Sequence, residues 1–327
     1  MDAHARPTYD MTDARPAPRV VVGVDGSEGS LVALRWAMRW ALERGAEVAV
    51  LATYPTVTYW TDAVAMDMGA HEAVHDDTWQ RARTAVDEVR EDDAEVRDVP
   101  VSVHVEPGPA AHQLVRQSQE ADLLVVGSRG RSVARSALLG SVALHAVSAA
   151  GCPVVVVPLP GSWGQPQASS RVVVGVDGSE RSTVALSAAV TEAGPEGSVT
   201  VVRAEDVTDA WSDQYPVMSR ASEQQQRDDV LRRIDAMLGD VLPTTGGHPT
   251  VHRLALAGQA GAVLVHQAAE ADLLVVASRG RGEFLGLVLG SVALHCVVHA
   301  PCPVLVVRPA ARQVPDRSLL VGSLTTG

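Results

Sequence analysis

The chain has no lysine; all 27 of its basic residues are arginine. That absence excludes a Walker-type P-loop lysine, a Schiff-base lysine and a kinase-type lysine. Aromatic residues are scarce, at 3% of a sequence that is 46% hydrophobic. A core built from Val, Ala and Leu suits parallel strands covered by small-residue helices. Only three cysteines occur, Cys152, Cys296 and Cys302. An odd, sparse set without CxxC or a His/Cys cluster excludes a disulfide framework and argues against zinc. Cys152 and Cys302 precede strands and read as small buried hydrophobes. No apolar run approaches the ~18 residues that span a bilayer. Residues 1–18 are polar and proline-bearing, without the apolar stretch of a signal peptide. The expectation is a cytoplasmic protein with no membrane partner. The net charge of −12 likewise argues against nucleic acid, which needs a basic face.

What the sequence does have is repetition. RVVVGVDGSEGS at Arg19 returns as RVVVGVDGSERS at Arg171. EADLLVVGSRGR at Glu120 returns as EADLLVVASRGR at Glu270, and GSVALH at Gly140 returns unchanged at Gly290. A spacing of 150 to 152 residues is far beyond a solenoid unit of about 20–50 residues and matches a whole domain. The chain divides into an N-terminal arm (1–18), a first domain (19–160), a linker (161–170) within a Pro/Gly/Ser-rich stretch, a second domain (171–310) and a tail (311–327).

Within the first domain, valine-rich runs at Arg19–Asp25, Glu47–Ala52, Pro100–Val105, Asp122–Val126 and Pro153–Val157 read as strands. Leu34, Ala37, Met38, Ala41 and Leu42 recur at helical spacing before a stop at Arg44-Gly45. Further helices are expected near Ala73–Glu91, Pro109–Ala121 and Ser141–Ala149. Strands that alternate with helices imply an α/β fold: two tandem five-stranded parallel sheets of Rossmann-like type with right-handed crossovers. The last strands, Pro153–Val157 and Pro303–Val307, are apolar and lie at a predicted sheet edge. Such edges are liabilities unless paired, and two copies in one chain are expected to pair with each other in a pseudo-two-fold arrangement.

In an open parallel sheet, ligands sit beyond the carboxyl ends of the strands where the order reverses. Strand 1 ends at Gly23-Val24-Asp25. Strand 4 ends at Gly127-Ser128-Arg129-Gly130, and nine residues later Gly140-Ser141 opens a helix. Gly127 and Gly130 allow a tight turn and close approach to a ligand. Gly140-Ser141 offers free amides and a hydroxyl at a helix N-terminus, a ready anion site. Main-chain donors at two successive bends suit a polyphosphate in a protein without lysine. Arg129 and Arg131 add charge, and Asp25 can accept from ribose hydroxyls or support a divalent ion.

With the G-x2-G-x9-G-S spacing, the V-G-V-D-G-S-E strand end and the H-A-P-C-P-V final strand, the chain resembles a tandem ATP-binding universal stress protein over nearly all of residues 19–309. The resemblance implies a strand order of 3-2-1-4-5 in each half. It places a nucleotide across Gly23, Val24 and Asp25, with the base near Thr53 and the phosphates on Gly127, Ser128, Arg129, Gly130 and Arg131 and on Gly140, Ser141 and Val142. The second site would use Gly175, Val176, Asp177, Ala204, Ala277, Ser278, Arg279, Gly280, Arg281, Gly290, Ser291 and Val292. Ala277 departs from the motif's first glycine: one methyl is tolerated if φ is negative and clashes if it is positive. Both sites are expected to bind. ATP with magnesium, held near Asp25 and Asp177, is the implied ligand. The implied function is regulatory, in stress, hypoxia or dormancy, with an unidentified protein partner, an internal pseudo-dimer, a homodimer as a further possibility, and little or no hydrolysis. A slow ATPase or nucleotidyl-transfer enzyme, and a nucleotide-free interaction module, are the alternatives.

Other residues read as structural. His145 and His295 share a helix position without a carboxylate partner at fixed spacing. His71 and His75 lie four apart but have no counterpart in the second half. Trp36 and Trp40 flank the buried stripe of the first helix, and Glu91–Asp98 is a solvated charge run.

Overall fold

The computed structural model describes residues 17–55, 68–130, 139–159, 170–205, 216–242, 247–278 and 289–308. The rest of the arm, linker residues 161–169 and the tail, together with Arg131, Arg279, Gly280 and Arg281, lie outside the described residues. The first half runs β1 (Arg19–Gly23), α1 (Glu28–Arg44), β2 (Glu47–Tyr54), α2 (Met68–Asp92), β3 (Val101–Pro107), α3 (Ala110–Gln117), β4 (Leu123–Gly127), α4 (Ser141–Ala149) and β5 (Val154–Val157). The second repeats it as β6 (Arg171–Gly175), α5 (Glu180–Ala193), β7 (Ser198–Glu205), α6 (Pro216–Val241), β8 (Thr250–Ala257), α7 (Ala260–Gln267), β9 (Leu273–Ala277), α8 (Ser291–His299) and β10 (Val304–Val307).

The ten strands form one sheet in the order β3-β2-β1-β4-β5-β10-β9-β6-β7-β8. Each half keeps 3-2-1-4-5, and the halves meet where β5 and β10 pair antiparallel. The two expected edges therefore close on each other, and valines that would face water become the middle of the sheet. Val154 to Val157 and Val304 to Val307 are all buried. Strands that bury both faces read as continuous apolar runs rather than alternating ones, which is how β1, β4, β5 and β10 are written.

Two apolar layers sandwich the sheet. Helices α1, α2, α5 and α6 cover one face with residues such as Leu34, Met38, Val86, Leu186 and Ile234. Helices α3, α4, α7 and α8 cover the other with Leu114, Ala146, Val147, Leu264 and Cys296. Both layers run continuously from one half into the other.

The ends of α1 follow from its sequence. The Ser27 side chain accepts from the Ser30 amide as an N-cap, and Gly45 ends the helix at φ 59°. Two helices differ from expectation. α2 begins at Met68 rather than near Ala73, in a polar stretch with no apolar period to mark its start. α3 ends at Gln117 and passes into a 3-10 turn at Ser118–Glu120. The buried Ser118 donates to the Val115 carbonyl at 2.7 Å and accepts from the Gly151 amide at 2.9 Å. The second half makes the same 3-10 turn at Ala268–Glu270 with alanine in place of the serine. Among the described residues, no helix is long and apolar enough to cross a membrane.

Candidate functional site at the strand-order reversal

The sheet order reverses at β1, which has β2 on one side and β4 on the other. Beyond the carboxyl ends of β1 and β4 opens a shallow crevice, with about 90 Å³ of sheltered space. Its walls are Gly23, Val24, Asp25 and Ser30 from the β1–α1 turn, Val126, Gly127, Arg129 and Gly130 from the end of β4, Gly140 to Ala143 from the start of α4, and Leu114 from α3. Nine of the residues singled out in the first half from the sequence thus converge on one cavity. Ser128 and Thr53 do not line it; Thr53 lies in β2, paired with Glu106 of β3.

The donors are main-chain. Gly140 is the N-cap of α4 and has no side chain to satisfy the first turn. The amides of Ser141, Val142 and Ala143 therefore have no intrahelical acceptor and sit at the positive end of the helix dipole. The amide of Gly140 itself is not free, contrary to the sequence reading. It donates to the Ser128 carbonyl at 2.8 Å, while the Ser128 amide donates to Val157 at 2.8 Å. Ser128 is thus a buried brace that ties the end of β4 to β5 and to the start of α4. The second half repeats the brace: Ser278 N–H to Val307 at 2.8 Å and Gly290 N–H to Ser278 at 2.7 Å.

The glycines also differ in role from the expectation. Neither Gly127 nor Gly130 has the left-handed φ that only glycine favours. Gly127 is required by space. A Cβ there would lie 2.5 Å from the carbonyl oxygen of Gly29, and a Cβ on Gly29 would strike the carbonyl oxygen of Arg129. The end of β4 and the first turn of α1 touch backbone to backbone through this glycine pair. Gly130 faces Asp25, whose Oδ2 would be 2.7 Å from a Cβ.

The Asp25 carboxylate is held by its own turn. Oδ1 accepts from the Ser27 amide at 3.0 Å and the Ser27 hydroxyl at 2.5 Å, and the Asp25 amide donates to Ser30 Oγ at 3.4 Å. Asp177 repeats the first of these with Ser179 at 3.0 Å. Ser30, Leu114, Val126, Ala143 and Gly29 were not singled out from the sequence. A signal for Leu114 was available, since Leu264 stands at the same place in the repeat, and each leucine presses on the glycine that ends the first strand of its half (Gly23 and Gly175).

In the second half, Gly175, Val176 and Asp177 end β6, Ala277 and Ser278 end β9, and Gly290, Ser291 and Val292 open α8. Ala277 is a strand residue paired with Val307, so its methyl sits on ordinary extended backbone. Ala204 lies in β7 opposite Leu256 of β8. At the same end of the sheet Arg203 is buried; its Nε donates to Glu205 at 2.8 Å and its Nη1 to the Asp177 carbonyl at 3.1 Å.

The histidines take structural places. His71 and His75 pack edge-on against Tyr54, with centroids 5.4 and 6.3 Å away. His145 lies beside His112, and His295 beside His299. Among the described residues, no group of three or more metal-ligating side chains is assembled. Burial pushes the thiols of Cys152, Cys296 and Cys302 up to about 12.

Comparison with known proteins agrees with this architecture. The model of the universal stress protein family matches residues 17–158 and again 169–308. Universal stress protein Rv2623 of Mycobacterium tuberculosis is 31% identical over 309 residues, which cover 91% of this chain and 99% of that protein. A universal stress protein of Mycolicibacterium smegmatis is 32% identical over 303 residues, covering 89% and 97%. The crystal structure of a universal stress protein from Archaeoglobus fulgidus shares the fold, with a TM-score of 0.57 at 19% identity over 89% of this chain and 96% of that one. Two copies of the family's fold, back to back in one ten-stranded sheet, make this chain a tandem member of the universal stress protein family.

Proposed function

We propose that this chain is a cytoplasmic regulatory protein that binds ATP with magnesium and responds to stress through its nucleotide state, with little or no hydrolysis. The observation that carries the reading is the uncapped start of α4, facing the Gly23–Asp25 strand end across one crevice. The phosphates would lie on the amides of Ser141, Val142 and Ala143 and along Gly127–Gly130, with the guanidinium of Arg129 beside them. Magnesium usually keeps waters and takes one or two carboxylates plus substrate phosphates. Asp25, the one carboxylate among the described lining residues, fits that minimal role. Asp25 and Arg129 are the only titratable side chains among the described lining residues. An acid–base pair for hydrolysis would need a second proton carrier within reach, and this supports binding over turnover. The second crevice, around Gly175–Asp177 and Gly290–Val292, is proposed to take the same ligand.

Nucleotide content of the purified protein, read by chromatography, is one test. Melting in millimolar Mg-ATP is the other. Ligand at 100 times its Kd stabilises by about 2.7 kcal/mol, so a clear upward shift is expected. Protein that carries no nucleotide and shows no shift would refute the reading, and steady release of phosphate that vanishes in Asp25→Ala would refute the absence of turnover.

A further inference from the structure

The strand pair that joins the halves does not choose its own partner. β5 is VVVV and β10 is VLVV, and they pair antiparallel with Val155 opposite Leu305, which are equivalent positions of the repeat. A ladder of this kind is close to symmetric. A β5 would meet another β5, or a β10 another β10, with the same backbone bonds and nearly the same side chains. Anything that makes half one close on half two must lie in the flanking residues.

On one face of the sheet, the last turns of α1 and α5 meet across the junction. Trp40 Nε1 donates to Glu192 Oε2 at 3.0 Å, and Arg44 Nη2 donates to the same oxygen at 2.9 Å. The Arg44 guanidinium also lies 4.5 Å from the Trp40 ring centroid, within range of a cation–π contact. Glu192 is the repeat equivalent of Trp40, 152 residues later. Equivalent positions thus carry complementary chemistry, an aromatic donor on half one and an acid on half two. Half one adds Arg44, which also donates to its neighbour Glu43 at 3.1 Å, whereas α5 has already ended at Ala193. Glu192 is shielded from water, and burial pushes its carboxyl above the usual range against the pull of Arg44 and Trp40.

The opposite face is asymmetric as well. Arg308, directly after β10, donates to the carbonyls of Val147 and Ala150 at the C-terminal end of α4, a favourable place for a cation. Its repeat equivalent in half one is Pro158, which carries no side-chain donor.

We infer that the junction is a heterologous lock, in which the edge surface of half one fits half two and rejects its own kind, and the converse holds for half two. A one–one pair would set Trp40 against Trp40, leave both Trp40 and Arg44 without the Glu192 acceptor and bring Pro158 to the helix end. A two–two pair would set Glu192 against Glu192 in a place largely shielded from water. A buried ion pair adds little net stability over an apolar contact, but a mispaired buried charge is costly; the arrangement therefore acts on partner choice more than on strength. The partner this edge fits is the other half of the same polypeptide, not the like half of a second copy.

The test uses the full chain and does not depend on nucleotide binding. Trp40→Glu with Arg44→Glu makes both faces acidic, Glu192→Trp makes both faces aromatic, and Trp40→Glu with Glu192→Trp transposes the aromatic–acid pair across the pseudo-two-fold. Each like-faced chain is expected to melt about 5–10 °C below the parent, and the transposed chain to recover most of the loss. Like-faced chains that melt with the parent overturn the proposal, as does a transposed chain no more stable than either like-faced chain. Should the like-faced chains not fold, Arg44→Met and Glu192→Gln, singly and together, give the same answer: about a tenfold coupling in the unfolding constant is expected, and strict additivity overturns the lock.

Discussion

Two glycines three residues apart at the end of β4 should respond to the same substitution in opposite ways. In Gly127→Ala the new Cβ lies 2.5 Å from the carbonyl oxygen of Gly29, 2.7 Å from its carbonyl carbon and 3.3 Å from the Arg129 carbonyl oxygen. All three are backbone atoms, held by the first turn of α1 and the braced end of β4, so none is free to swing away. Overpacking of this kind costs about 1–3 kcal/mol. The denaturant midpoint should fall with the slope unchanged. Because α1 must move outward, and Ser30 and the Asp25 turn move with it, Mg-ATP affinity should fall as well. In Gly130→Ala the nearest atom among the described residues is Asp25 Oδ2 at 2.7 Å, with Asp25 Cγ next at 3.7 Å. That is the far end of a side chain, which can rotate. Stability should change by no more than about 0.5 kcal/mol, while affinity falls because the carboxylate has left its Ser27-bound position. Chemical denaturation and titration calorimetry on the two variants separate the effects. A Gly127→Ala protein that keeps both midpoint and affinity, or a Gly130→Ala protein destabilised as much as Gly127→Ala, would refute this account of the turn.

Three further outcomes follow from individual contacts. Ser27→Ala removes the cap of α1 and both a hydroxyl bond to Asp25 and its tether; a stability loss of about 1 kcal/mol is expected, together with weaker Mg-ATP binding by calorimetry, and an unchanged midpoint would count against the cap. Cys152, Cys296 and Cys302, with thiols pushed up to about 12, should resist a thiol reagent at neutral pH in the folded protein and react fully once it is unfolded; fast labelling of the native state would contradict their burial. Glu192 binds its proton more tightly folded than unfolded, since burial raises its pKa. Its stabilising contribution is therefore complete below the ordinary carboxylate range and lost as pH rises through the raised value. Against Glu192→Gln, the parent should lose relative resistance to denaturant along that rise, and a constant difference would refute it.

The frame is readable in the sequence because the strands buried on both faces are valine- and leucine-rich apolar runs bounded by glycine, proline or a polar turn. The repeat then supplied a second reading of every element, and the apolar final strands pointed to their mutual pairing. The stop of α1 at Gly45 was legible because its φ of 59° suits glycine. What escaped notice depends on chain segments far apart. The Gly140 amide looks like a free donor in the sequence because its acceptor, Ser128, stands just after β4 rather than within the helix. Gly29 was unremarkable until the end of β4 was seen pressed against it. Trp40 read correctly as part of a buried stripe, but its acceptor, Glu192, lies in the other half, where no local pattern connects the two.

Those distant contacts are also where the halves have diverged. Gly29 and Gly127 touch in half one, and their repeat equivalents are Arg181 and Ala277. Both members of the contact are larger in half two, as they must be if the pair changes together: an alanine at the strand end cannot sit against a helix turn held as close as Gly29 holds it. Ala52 and Tyr54 in β2 become Arg203 and Glu205 in β7, which pair with each other and hold the carbonyl of Asp177. Half two thus replaces a close glycine crossing with side-chain ties around the corresponding turn, while the brace from Ser278 to Gly290 keeps the geometry of its counterpart. The uncapped helix start is retained in both halves, and the surroundings that set how tightly each crevice closes are not. Two sites built on the same main-chain donors but different walls are expected to bind one ligand with unequal affinity. Calorimetry of the full chain with Mg-ATP should resolve two binding steps, and Gly140→Pro and Gly290→Pro should each remove a different one. A single step of two equal sites would show that the walls do not matter and that the donors alone set the affinity.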